Sequence, residues 1–328
     1  MAPWFDVPAN PSAAHRLGRD AAMAVDRARD QVAALLGWPA AGVVFTSGAS
    51  ESNGTVLSRG RWAATAVEHP SVRLWASALL PVDGRGLVDL DSIDEISGVD
   101  GVSVMLANNE TGVVQPIDEV VARAHARGLL IHVDAAQAPG RVDLSSLARA
   151  DFVTISSHKL GGPAGAGALC VPKGAEAAPL LRGASQERGW RAGTHNVAAI
   201  VGFGAAAEAV HREPLFIALL RDELEAGLQA LGGSVAGEGA PRLPNTTCVA
   251  FAGVLAPDFV AALDLAGVAA SAGSACASGA ARPSDVLAAM GFPGSAVRFS
   301  LGRANTRDDV LAVLAAVRRC LPALRENG

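Results

Sequence analysis

The chain has 328 residues, enough for two domains or one large one; half are apolar and 18% are charged, a globular balance and not a disordered one. A net charge of −5 with a pI near 5.8 offers no general basic field to nucleic acid or to an anionic membrane. The apolar runs, such as 310–317, are too short to span a bilayer. The opening Met1-Ala2-Pro3-Trp4-Phe5-Asp6 lacks the positive flank and apolar core of a signal peptide, so a cytoplasmic protein is expected.

From about residue 40 to 171, short apolar runs alternate with helical patterns, as in the βαβ units of a parallel sheet. The expected strands are 43–45, 65–67, 102–106, 130–133, 152–155 and 168–171. Sheets of this kind bind ligands outside the carboxyl ends of their strands. The first five runs end in polar chemistry: Thr46-Ser47-Gly48-Ala49-Ser50, Glu68-His69, Asn108-Asn109-Glu110, Asp134 with Gln137, and Ser156 through Lys159. Five such endings in succession point to a single cleft. Beyond them the pattern predicts helices at 197–211 and 214–231. A strand at 247–251, a helix at 257–266, a strand at 268–270, a helix opening at Ser284-Asp285 and a strand at 297–301 follow. The expected fold is α/β. A large domain, residues 1–211, has a mostly parallel central sheet flanked by helices, and a smaller α+β domain spans 212–328.

Asp134 and Lys159 carry the chemical argument. An acid and an amine at the ends of neighbouring buried strands are what pyridoxal phosphate (PLP) requires. The amine forms a Schiff base, and the acid keeps the pyridine nitrogen protonated so that the ring can accept electrons. Each residue alone also suits a plainer role, a helix cap for Asp134 and a solvated loop for Lys159; Gln137 and His158 beside them favour the cofactor. The turn Thr46-Ser47-Gly48-Ala49-Ser50 opens a helix, where free N–H groups suit a phosphate, although Ser47 or Ser50 could simply cap that helix and Glu51 opposes an anion. His69 precedes Pro70 and could stack on a pyridine ring and move protons, or merely cap a helix. Arg298 alternates with the apolar residues of its strand, where its fork could grip a carboxylate or form a surface ion pair. The Gly-rich stretch 183–196 reads either as a shaped functional loop or as a surface connection.

The four cysteines, at 170, 248, 276 and 320, make no Cys-x-x-Cys pair or His/Cys cluster, so neither metal nor a disulfide framework is expected. Cys170 and Cys248 lie in apolar runs and Cys320 ends a helical pattern, as small buried hydrophobes do. Cys276 sits among small residues on a loop, where a nucleophile that must travel would stand.

These residues in this order resemble the cysteine desulfurases, class V members of the fold-type I PLP enzymes, in the long-loop branch of NifS and IscS type. The similarity runs through Asn10-Pro11-Ser12 and His15, then residues 45–52, Glu68-His69, 108–112, 132–137, 156–167, 186–196, 273–284 and 298–306. The resemblance implies Lys159 as Schiff-base lysine, Asp134 on the pyridinium, Gln137 on the ring hydroxyl and His69 stacked on the ring. It implies Ala49, Ser50, Ser156 and His158 around the phosphate, with Thr194 reaching the phosphate of the neighbouring subunit in a homodimer. Asn109 and Arg298 would bind the substrate carboxylate, Asn109 also lying against the cofactor, and Cys276 would take sulfur from L-cysteine as a persulfide and leave L-alanine. Iron–sulfur scaffold proteins are the implied sulfur acceptors. Selenocysteine lyase, or another class V enzyme, is the alternative within the class. The family's usual Asn-Ala-Thr-Thr opening has no counterpart here, the stretch between Ser50 and His69 is short and so is the carboxyl-terminal tail. A cofactor-binding or structural partner with impaired turnover is therefore the alternative outside the class.

Overall fold

The computed structural model describes residues 1–7, 10–210, 215–273 and 284–326. It divides into two compact units. The first comprises Met1–Leu80, Leu90–Leu106 and Pro116–Arg212; the second comprises Pro81–Asp89, Ala107–Gln115 and Glu213–Gly328.

The first unit is built on a seven-stranded sheet: β1 (Val43–Thr46), β2 (Trp62–Thr65), β3 (Ala78–Leu80), β4 (Gly101–Met105), β5 (Leu130–Asp134), β6 (Phe152–Ser156) and β7 (Gly167–Cys170). The spatial order is β1-β7-β6-β5-β4-β2-β3. All pairings from β3 to β6 are parallel, whereas β7 runs antiparallel to both β6 and β1. The α/β fold with a mostly parallel sheet is therefore present. β1, β4, β6 and β7 are buried along their whole length, as strands covered on both faces must be, so they read as mainly apolar runs with only small polar residues such as Ser103 and Thr154 among them.

Two strands differ from the sequence reading. β2 covers Trp62–Thr65 and not 65–67: the chain turns directly after Thr65, where Glu68 N–H bonds back to the Thr65 carbonyl. Ala63 and Ala64 have weak strand propensity, so the run 65–67 drew the assignment downstream. β3 is a short edge strand with an exposed Leu79, too brief to signal itself. The helix Arg16–Leu36, also unread, buries Ala21, Val25, Ala28, Val32 and Leu36 at helical spacing. It packs against the helix Val197–Ala209 so closely that a Cβ at Gly204 would stand 2.6 Å from Ala28 Cα.

The second unit has an antiparallel sheet of β8 (Gly233–Val235), β9 (Thr246–Phe251), β10 (Ser271–Ala272) and β11 (Val297–Ser300), in the order β10-β11-β9-β8. Helices Leu215–Ala230, Ala256–Leu265 and Arg307–Glu326 share a core with it, in which Leu228, Val249, Phe259, Leu263, Val297 and Val317 are almost fully enclosed. The strand expected at 268–270 forms later, at β10. Ser284 caps the helix Asp285–Ala289 through the N–H groups of Val286 and Leu287, as its sequence position predicted. Among the described residues no helix is long and apolar enough to cross a membrane.

Candidate active site

β1, β2, β4, β5 and β6 all run in one direction, so the polar residues that follow them gather along one edge of the sheet. Asp134 ends β5 and is buried. Its Oδ1 accepts the Ala136 N–H at 3.0 Å and its Oδ2 accepts Asn53 Nδ2 at 2.8 Å. Asn53, fully buried on the helix Ala49–Leu57, also donates to Ser71 Oγ at 2.9 Å. Ser71 Oγ lies 2.7 Å from His69 Nδ1, and the Ser71 N–H donates to the same nitrogen at 3.1 Å. Nδ1 is thus an acceptor, which places the neutral ring's proton on Nε2. A chain of contacts Asp134–Asn53–Ser71–His69 holds acid and imidazole in fixed relation.

Lys159 follows β6 on the short turn Ser157–Leu160 and is half-buried. Its charge reaches both His69 and His158. Burial, with Lys159 behind it, holds His69 below the ordinary histidine range, against the opposing pull of Asp134. His158 is lowered in the same direction by burial and by Lys159. His69 therefore senses both the carboxylate and the amine, which sets all three in one neighbourhood. The chain has only two lysines; the other, Lys173, is exposed beyond β7.

The turn after β1 faces the same edge. Gly48 caps the helix Ala49–Leu57, and a Cβ built on it would come within 4.0 Å of Ser156 Oγ. Ser156 Oγ in turn lies 3.0 Å from His158 Nδ1. Gly167 on β7 makes this approach possible, since a Cβ there would stand 2.6 Å from Gly48 Cα. Glu51, which the sequence set against an anion, is occupied elsewhere: it accepts the Ser47 N–H at 2.9 Å and pairs with Arg191 at 3.0 Å. Burial raises it, but the Ser47 and Arg191 contacts prevail and hold it ionised below its ordinary range. A helix amino terminus, Ser156 and His158 thus form a cradle suited to a phosphate. Ala49 is half-buried and Ser50 exposed at its mouth.

Gln137 is half-buried after β5, and its Oε1 and carbonyl both accept from Arg141 Nη1, at 3.2 and 2.9 Å. Thr194 is exposed on the stretch before Val197–Ala209. That stretch is anchored by a buried network absent from the sequence reading. Glu187 takes Arg29 in a two-point ion pair at 2.7 and 2.9 Å, the Phe45 N–H at 2.8 Å and His195 Nε2 at 2.7 Å. Glu187 and Arg188 hold φ of 47° and 55°, a costly conformation for side-chain-bearing residues that this pairing sustains.

Asn109 and Arg298 belong to the second unit. Arg298 Nη1 donates to the Asn109 carbonyl at 2.6 Å, so the two residues expected to share a substrate carboxylate are in contact. Cys276 lies outside the described residues, as do residues 274–283 around it. Cys170 and Cys248 are fully buried, and burial pushes the Cys248 thiol up to about 12, far from the thiolate a nucleophile needs.

Residues 4–313 match the family model for Aminotransferase class-V. The chain belongs to the class V aminotransferase family. Within it, the chain is 39% identical to a cysteine desulfurase of Gluconacetobacter diazotrophicus, over 99% of this chain and 90% of that protein. The X-ray structure of a NifS-like protein from Rickettsia africae superposes with a TM-score of 0.90 at 31% identity, covering 98% of this chain and 94% of the other. A structure of SspA in complex with cysteine superposes at 0.78 with 30% identity, over 91% and 92% of the two chains. Class V members are PLP enzymes, and the Asp134, Lys159 and phosphate-cradle geometry is that of a site able to hold PLP.

Proposed function

We propose that the chain is a PLP-dependent cysteine desulfurase that takes sulfur from L-cysteine and leaves L-alanine. The observation that carries this reading is the placement of Asp134 and Lys159 at the carboxyl ends of adjacent parallel strands, with His69 close enough to feel both charges. When bound, the coenzyme supplies an electron sink for the charge left at the substrate Cα.

The residues divide the remaining work. Asp134, aimed by the Asn53 and Ala136 N–H donors, would hold a proton at the ring nitrogen. Lys159 Nζ would be the amine that holds the coenzyme, and the same amine could take the proton from the substrate Cα. Ser156, His158 and the free N–H groups at Ala49 and Ser50 bind the phosphate. His69, whose Nδ1 is taken by Ser71 so that Nε2 carries the proton of the neutral ring, could return a proton, and Gln137 would meet the ring hydroxyl. Asn109 and Arg298 orient the substrate carboxylate, and Cys276 accepts the sulfur as a persulfide. A homodimer in which Thr194 reaches the neighbouring phosphate, a sulfur-acceptor protein such as an iron–sulfur scaffold, and a cytoplasmic location complete the proposal.

The test is direct. Protein reconstituted with PLP is given L-cysteine and a reductant, and alanine and sulfide are measured beside Lys159→Ala and Cys276→Ala. The wild type should produce both and the two variants neither. Equal output from all three overturns the reading, and selenocysteine cleavage that survives Cys276→Ala would redirect it to a lyase.

A further inference from the structure

Glu68 stands just past the carboxyl end of β2, next to His69, and only 2% of it meets solvent. Its Oε1 accepts two hydrogen bonds, from the Thr65 hydroxyl at 2.7 Å and from the Met105 N–H at 2.6 Å. Met105 is the cross-strand partner of Asp134, so the two carboxyls lie at neighbouring strand ends. Glu68 Oε2 is buried with no hydrogen-bond partner among the described residues. The charge that reaches Glu68 is that of Asp134, and it has the same sign.

An ionised carboxylate needs donors at both oxygens, and a buried one needs a cation as well. Glu68 has donors at Oε1 alone. A proton on Oε2 removes the charge and leaves Oε1 free to accept both of its bonds. Burial, helped by Asp134, outweighs the Thr65 and Met105 hydrogen bonds and pushes the Glu68 carboxyl up to about 8. The other titratable groups nearby are His69, the next residue, and Lys159, which acts on His69.

We propose that Glu68 and Asp134 form an unequal carboxyl pair, with the proton on Glu68 and the charge on Asp134, so that the ring-nitrogen end of the cofactor site carries one negative charge at neutral pH and not two. Pairs of acids driven apart by their surroundings are a recurrent way of fixing charge in a site. Glu68 acts through Asp134 and is a positioning residue. The cofactor clause rests on the function proposed above; the location of the proton does not.

The experiment uses the cofactor-free protein first. Unfolding is followed from pH 5 to 10 for wild type and Glu68→Gln, which keeps the Oε1 acceptor and cannot ionise. Between pH 4.5 and 8 the unfolded chain has released a proton that the folded chain still holds. The folding constant of wild type, relative to the Gln variant, should therefore fall about tenfold per pH unit and level off above 8. Parallel profiles overturn the proposal. An infrared carbonyl band of a protonated acid in wild type at pH 6.5, lost by pH 10, gives the same answer without relying on the variant's folding; no such band overturns it. With PLP bound, the cofactor absorbance should shift with a midpoint near pH 8 in wild type and not in Glu68→Gln. Asp134→Asn should move the apo transition to lower pH, and an unmoved transition refutes the coupling. Failure of wild type to bind PLP would remove the proposed function while the apo result stands.

Discussion

Replacing Glu187 with Gln should destabilise the protein by about 3 kcal/mol at pH 7. The side chain is 1% exposed and meets the Arg29 guanidinium at two points, 2.7 and 2.9 Å apart. Burial alone would raise its carboxyl, yet Arg29 and His195 overcome that and depress it from 4.5 to about 2. A depression of that size corresponds to about 3 kcal/mol of stability. The independent expectation for removing one partner of a buried ion pair is roughly 3–5 kcal/mol, and Arg29 would keep its longer 3.7 Å contact with the exposed Asp26. Since the folded value lies below the unfolded one, this stability is fully present above pH 4.5 and is lost as the pH falls towards 2. Thermal melts of wild type and Glu187→Gln at pH 7 should differ by roughly 4 °C, and the gap should close in acid below about pH 4. Adding Arg29→Met to Glu187→Gln should recover part of the loss, because a buried cation left with the more distant Asp26 carboxylate is then removed. Melting within about 1 °C of wild type at neutral pH, or a gap that persists unchanged in strong acid, would refute the reasoning. The same variant should bind PLP more weakly if the stretch held by Glu187 delivers Thr194 to a phosphate.

Gly167→Ala should cost about 1–3 kcal/mol, since the new Cβ meets the Gly48 backbone; calorimetry gives the stability, and a fluorescence titration should show weaker PLP binding as the phosphate turn is displaced. His69 is lowered chiefly by burial, so it is neutral at pH 7, and desulfuration should fail on the acid side only below the ordinary histidine value of about 6.5. His69→Ala should lower the rate by about 10²–10⁴ and abolish that acid limb. Asp134→Ala should weaken PLP binding at least about tenfold and leave Asn53 Nδ2 with Ser71 alone, which equilibrium dialysis can measure.

The parallel strands and the polar residues at their ends were legible because both signals are local. Mainly apolar runs such as Val102 to Met105, broken only by Ser103, mark strands buried on both faces, and a strand end needs only the residue that follows it. Asp134, Lys159 and His69 could be named on that basis. Asn53 and Ser71 could not. Asn53 sits inside an ordinary helix, and its importance appears only when the fold brings Asp134, 81 positions away, to its amide. Glu187 and Arg29 are 158 positions apart, and nothing near either residue announces a buried ion pair. In the sequence Glu68 is one half of a Glu-His pair, and its orphaned oxygen depends on which backbone N–H groups surround it. β2 was placed late because alanine hides a strand whose only strong marker, Trp62, comes first.

Lys159 is the amine that must hold the coenzyme for the proposed function to operate. Protein incubated with PLP, reduced with borohydride and digested should carry a pyridoxyl group on the peptide containing Lys159. With only Lys159 and Lys173 in the chain the assignment by mass is unambiguous. Modification at Lys159, reduced in Asp134→Ala and absent in Lys159→Ala, is the expected result. An adduct on Lys173 alone, or none at all, would contradict the account.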